Sequence, residues 1–204
     1  MMARVHRKAL PLLLGLLWPA VPALAGDTQP FEARVIDVID GDTITVSDSG
    51  QVQHGIRLVG IAAPEMTQPF GDRSKQSLLR MVADKDVRIE PVNRDSCGRL
   101  VAMVWVTPQS LPCANTGEPC PKTLDVGRGQ LTVGLAWYYE AYEHEQSEQD
   151  RLAYAFDETE ARARKVGLWA DPRATPPWEW RQDRTGDAVE QSGTDHCEEP
   201  GDLN

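Results

Sequence analysis

The chain has 204 residues, 41% of them hydrophobic, with 21 Lys and Arg against 31 Asp and Glu for a formal net charge of −10. That length allows one packed domain with short extensions rather than two full domains. The acidic balance excludes a passive nucleic-acid binder that works through a basic surface, because such binding needs cations that release counterions; it leaves open an enzyme with a local cationic site or a bound metal.

The first 25 residues read as an export signal. Arg4, Arg7 and Lys8 form a basic start, an apolar run follows from Ala9 to Trp18, and Ala23-Leu24-Ala25 is a small-x-small cleavage pattern. The apolar run is about half of the ~20 residues needed to span a bilayer, so a membrane anchor is the weaker reading. Removing this leader leaves 18 basic against 31 acidic residues. The expected product is exported, periplasmic or secreted, with no membrane association after signal removal.

"FEARVIDVIDGDTITVSDSGQVQHGIRLVGI" is rich in β-branched residues punctuated by turn formers. It predicts strands over Phe31–Val38, Thr43–Ser47 and Val52–Ile61, with turns at Gly41-Asp42 and Asp48-Ser49-Gly50. A helix is expected over Asp72–Val82, with Leu78, Leu79 and Val82 on one face. Two more strands, Asp86–Val92 and Leu100–Thr107, flank "NRDSCGR". "PQSLPCANTGEPCPK" reads as a surface loop, followed by a weak helix around Val126–Val133. Gln149–Lys165 is expected to be helical, with Leu152, Ala155, Phe156 and Thr159 on one side and a stop at Gly167. "DPRATPPWEWR" reads as an extended closing segment, and residues 182–204 as an acidic, mobile tail. Five short strands and about three helices define a mainly β, α+β class, best met by a closed five-stranded barrel of the OB type over residues 26–181.

The cysteines are Cys97, Cys113, Cys120 and Cys197. An even number in an exported chain points to disulfides, for which three pairings exist. The short turn-rich loop between Cys113 and Cys120 favours a local bridge, leaving Cys97 to Cys197. Zinc is disfavoured, since there is no CxxC and His54, His144 and His196 are scattered singles.

Three clusters carry chemistry. "VIDGDT" holds Asp40 and Asp42, "RLVGIAAPE" holds Arg57 and Glu65, and "DSCGR" holds Asp95 and Arg99. Each alone is an ordinary polar turn. Together they supply the requirements of phosphodiester hydrolysis. Carboxylates can hold a hard cation, a glutamate can act as general base, and arginines can fork onto phosphate oxygens.

In this order, with the later "GLAW…Y" and "GLWADP" segments, these motifs resemble the staphylococcal nuclease (thermonuclease) family over roughly residues 31–181. The resemblance implies a five-stranded OB barrel and calcium-dependent cleavage of DNA and RNA. It implies that Asp42 ligates Ca2+ directly, with the Ala63 backbone carbonyl as a further ligand and Asp40 as an acidic neighbour. Arg57 would bind the scissile phosphate, Glu65 would be the general base, and Arg99 would stabilise the transition state and the leaving oxygen. Tyr139 and Tyr142 would flank a nucleotide of single-stranded or unpaired DNA or RNA.

The chain departs from the family pattern at two places. Ala62 stands where the family has an aspartate ligand, and Cys97 where it usually has tyrosine. The sequence therefore predicts an exported, monomeric thermonuclease-like phosphodiesterase with weakened calcium binding. The alternatives are an inactive module of the same fold that binds nucleotides, nucleic acid or a protein, and, less favoured, a barrel serving envelope assembly.

Overall fold

A computed structural model describes residues 29–110 and 120–186, with side chains to residue 182. The alternating pattern of Phe31–Val38 (β1) buries Ala33, Val35 and Val38 and leaves Glu32, Arg34 and Asp37 outside. Such two-residue periodicity belongs to a strand with one face in a core. β1 pairs antiparallel with Thr43–Asp48 (β2), and β2 with Gln53–Leu58 (β3). β1 also pairs with Asp86–Arg94 (β5), and β5 with Leu100–Val106 (β6). A parallel pairing of β3 with β6, which sets Ile56 opposite Leu100 and Arg57 opposite Val101, closes the sheet into a five-stranded barrel. Ile44, Val46, Ile56, Leu58, Val87, Ile89, Ala102 and Val104 fill it.

The expected third strand, Val52–Ile61, is two elements. β3 ends at Leu58, and Ile61–Ala62 (β4) pairs elsewhere, with Trp137–Tyr138 (β8). Gly60 lies between them at φ +70°, a left-handed conformation that breaks a strand and that glycine adopts without strain. A Cβ there would also collide with the side-chain amide of Gln146.

Gly71–Val82 (α1) caps the barrel with Leu78 and Val82 fully buried. Leu124–Asp125 (β7) extends β6 and leads into Val126–Thr132 (α2). Asp125 caps α2 by accepting from the N–H groups of Gly127 and Arg128, and it also accepts from the Tyr154 hydroxyl. Burial first, against these donors, pushes its carboxyl up to about 6.

Glu148–Ala163 (α3) packs through Tyr154 and Ala161. Of the apolar side read in the sequence, Ala155 packs against the core while Leu152 is 67% and Phe156 61% exposed. Burial of the Tyr154 ring in the core, with its hydroxyl donating to Asp125, goes with the face of α3 that turns inward.

The closing segment also differs from expectation. Pro177–Gly186 (α4) is helical rather than extended. Pro177 occupies the first helical position, where its missing N–H costs nothing, and the Trp180 N–H donates to the Pro176 carbonyl. Regular backbone thus continues past Arg181. Among the described residues, no helix is long and apolar enough to cross a membrane. No described cysteine is a free thiol, Cys97 and Cys120 both being bonded. Cys113 and Cys197 lie outside the described residues, as does the leader.

Candidate active site

The turn between β1 and β2 is shaped around two carboxylates. The Asp42 N–H donates to Asp40 Oδ1 at 2.8 Å, and the Ile39 N–H to the Thr43 carbonyl at 3.0 Å, so the chain reverses tightly. Asp42 is then held on every side. Oδ1 accepts from the Thr43 hydroxyl at 3.0 Å, Oδ2 from the Ala63 N–H at 2.7 Å, and its carbonyl from the Leu58 N–H at 2.8 Å. Gly41 is required by space: a Cβ would collide with Ser74 Oγ and lie 2.7 Å from the Ala63 Cβ. The buried amide of Gln130 anchors the Gly41 carbonyl at 2.7 Å and the Ser74 carbonyl at 3.1 Å.

Arg57 stands beside this turn, its register partner on β2 being Thr43. Asp42 above all, then Asp40, Asp95 and Glu65, hold its guanidinium charged against the opposing cost of burial. One half-buried cation thus has acidic neighbours from three of the clusters found in the sequence. Arg99 enters from the start of β6. Its Nε donates to Asp95 Oδ2 at 2.7 Å and its N–H to Asp95 Oδ1 at 2.9 Å. A Cβ at Gly55 would sit 3.2 Å from Arg99 Cγ, so the Arg99 stem lies over β3 two residues from Arg57.

Glu65 lies on the exposed turn after β4. Its N–H donates to Gln68 Oε1 at 3.1 Å, and the Gln68 N–H donates to its carbonyl at 2.8 Å. Its carboxylate Oε1 pairs with Arg181 Nη1 at 2.5 Å. Tyr139 and Tyr142 follow β8 with ring centroids 5.2 Å apart. Trp178 stacks on Tyr139 at 5.1 Å with an interplanar angle of 28°. Trp178 and Arg181 are three residues apart on α4, hence on one face, so this helix ties the tyrosines to the Glu65 turn.

The family model for staphylococcal nuclease homologues matches residues 55–171. The chain belongs to the staphylococcal nuclease homologue family. It is 35% identical to "Protein ParB" of Escherichia coli over 83% of this chain and 88% of that one. It is also 35% identical to an "Uncharacterized endonuclease" of Escherichia coli, over 86% of this chain and 97% of that one. A "Micrococcal nuclease" of Shigella flexneri is 33% identical over 80% of this chain and 85% of its own.

Burial, then the charge of Asp42, push the Asp40 carboxyl up to about 7. A hard cation fits beside such a pair, because it would relieve both penalties. Yet among the described residues no three His, Cys, Asp or Glu side chains form a metal-holding group. Ala62, at the expected third position, is 2% exposed and packed in the β4–β8 pair opposite Trp137. The Ala63 group that meets Asp42 is its N–H.

His54 contacts Asp48 at 2.9 Å, a half-buried pair between β2 and β3. His144 lies beside Tyr142, with ring centroids 6.1 Å apart. The sequence analysis does not single out Gln68, Trp178 or Arg181, while Asp95 belongs to the third of its clusters. The available signal was "PPWEWR", a double proline that can open a helix, with Trp and Arg at a three-residue spacing.

Proposed function

We propose that this chain is an exported phosphodiesterase hydrolysing DNA, RNA or both, with calcium held weakly. The observation that carries the reading is Arg57, a half-buried guanidinium with Asp42, Asp40, Asp95 and Glu65 as charged neighbours. A planar fork fixed at the wall of a barrel suits a phosphodiester oxygen pair, which a point charge would hold less specifically. Glu65, on the rim, takes the proton of the attacking water. Arg99, oriented by Asp95, stabilises charge that develops on the phosphoryl and leaving oxygens. Tyr139 and Tyr142 offer faces on which an unpaired base can stack, a contact worth about 1–3 kcal/mol.

Asp42, with Asp40 beside it and the Ala63 carbonyl as a further oxygen, would hold Ca2+. When bound, the ion polarises a phosphoryl oxygen and offsets its charge. With alanine at position 62 the donor set is one carboxylate short of the family pattern, and affinity falls accordingly. The leader of residues 1–25 and cleavage after Ala25 belong to the same proposal, as do periplasmic or secreted location, bridges Cys113–Cys120 and Cys97–Cys197, and a monomeric state.

The test is incubation of purified protein with single-stranded DNA and RNA, with and without calcium. Cleavage that rises with calcium supports the reading. Binding without cleavage at any calcium concentration replaces it with the inactive-module reading, which the alanine at 62 favours.

A further inference from the structure

The Glu65 turn is gripped from the C-terminal segment at separate points. Arg181 pairs with the Glu65 carboxylate. Gln68 accepts the Glu65 N–H through Oε1, while its Nε2 donates to the Thr175 carbonyl. Gln68 is 6% exposed, so this double link is shielded from water. Trp178, one turn before Arg181, stacks on Tyr139, whose N–H donates to the Gly60 carbonyl just ahead of β4.

Without these contacts Glu65 would be a partly exposed carboxylate at the tip of a turn, free to sample several rotamers. A general base must lie within hydrogen-bond reach of its water, and a misplacement of about 1 Å can cost on the order of 100-fold in rate. The side chain that fixes this geometry comes from the last described helix, outside the barrel and beyond the 55–171 family match.

We propose that Arg181 is a positioning residue for Glu65, and that α4 is the strap that delivers it. Arg181 acts through Glu65, not on the substrate. The proposal rests on the nuclease reading for its kinetic consequence, while the holding of the turn stands independently of it.

The experiment uses the full chain and the variants Arg181→Gln, Arg181→Lys, Glu65→Gln and the Arg181→Gln/Glu65→Gln double. Cleavage of a single-stranded DNA oligonucleotide with calcium gives kcat and KM. Hydrogen exchange followed by mass spectrometry reads the amides of residues 65–68.

Arg181→Gln is expected to lower kcat about tenfold or more, with KM within about twofold. Arg181→Lys recovers most of the loss, since it restores a cation to the pair. In the Glu65→Gln background, Arg181→Gln adds no further loss. Exchange at residues 65–68 becomes faster in Arg181→Gln.

A loss confined to KM would make Arg181 a phosphate contact and overturn the proposal. A rise in kcat would make the pair an inhibitory latch and overturn it too. An equal loss in the Glu65→Gln background would do the same. If the parent protein cleaves nothing, the nuclease reading fails by itself. Exchange then decides the positioning role, with unchanged rates at residues 65–68 overturning it.

Discussion

The two sides of the site are held by different means. Asp42 is placed by the sheet: its carbonyl, its N–H and both carboxylate oxygens are engaged within the barrel wall and the adjoining turns. Glu65 is placed by side chains, Gln68 and Arg181, the latter from a helix far along the chain. The backbone N–H groups of Leu58 and Ala63 hold Asp42 alongside the side chains of Asp40 and Thr43, so part of its geometry survives a single substitution around it. A group fixed by two side chains can be released by one substitution while the fold stands.

Arg57→Lys is the harshest test of the register-fixed side. The stem stays in place opposite Thr43, while the planar fork is lost. Activity should fall about 100- to 1,000-fold, with the melting temperature nearly unchanged. Cleavage kinetics and a thermal melt check both halves, and a variant as active as the parent removes Arg57 from the phosphate.

A second measurement uses Asp125 as a buried carboxylate outside the site. Its folded-state pKa stands at about 6 against an ordinary 3.8, chiefly through burial. Between about pH 4 and 6 the folded chain therefore keeps a proton that the unfolded chain has released. Stability falls as pH rises through that window, by about 3 kcal/mol for this group. Asp40, raised to about 7, slopes the same way over a wider range. Asp125→Asn should remove only the Asp125 share of the slope, seen in urea melts at pH 4, 6 and 8. An unaltered slope would place the whole effect on the site turn.

Ala62→Asp sharpens the comparison by adding to the register-fixed side. The added carboxylate should tighten calcium about tenfold by calorimetry and raise cleavage, provided the closed β4–β8 pair admits it. Unchanged calcium affinity would show that position 62 does not face the metal. A tighter site that still cleaves nothing would show that more than one ligand has been lost.

Trp178→Ala probes the side-chain-fixed side most gently. Losing one stacked pair should cost about 1 kcal/mol of stability and raise KM for single-stranded DNA about two- to threefold. A KM unchanged within error would separate Tyr139 from the nucleotide.

The barrel was legible in the sequence because β-branched alternation and Asp-Gly turns encode it locally, as in Phe31–Val38 and Gly41-Asp42. The break at Gly60 was not, since a single glycine in an apolar run is equally consistent with an unbroken strand. The buried face of α3 was misread because Leu152 and Phe156 outweigh Tyr154 in hydrophobicity. Tyr154 packs into the core with its hydroxyl satisfied by Asp125 on another element, a partner that no local pattern shows. Arg57, Glu65 and Arg99 stand out in the sequence because their clusters carry motif spacing. Arg181 was missed because its role depends only on where α4 docks, which no local pattern states.

The parallel seam between β3 and β6 has a consequence for folding. The other strand pairs among the described residues are antiparallel, and three of them, β1–β2, β2–β3 and β5–β6, are joined by short connections. Pairings between strands distant in sequence pay their loop-closure entropy before they return any energy, so they form late. Arg57 lies on one strand of that seam and Arg99 at the start of the other. A chain with its hairpins formed but its barrel unclosed therefore keeps Arg57 and Arg99 on strands that are not yet paired with each other. An intact arrangement of the two arginines therefore requires this seam, which makes the site a reporter of barrel closure.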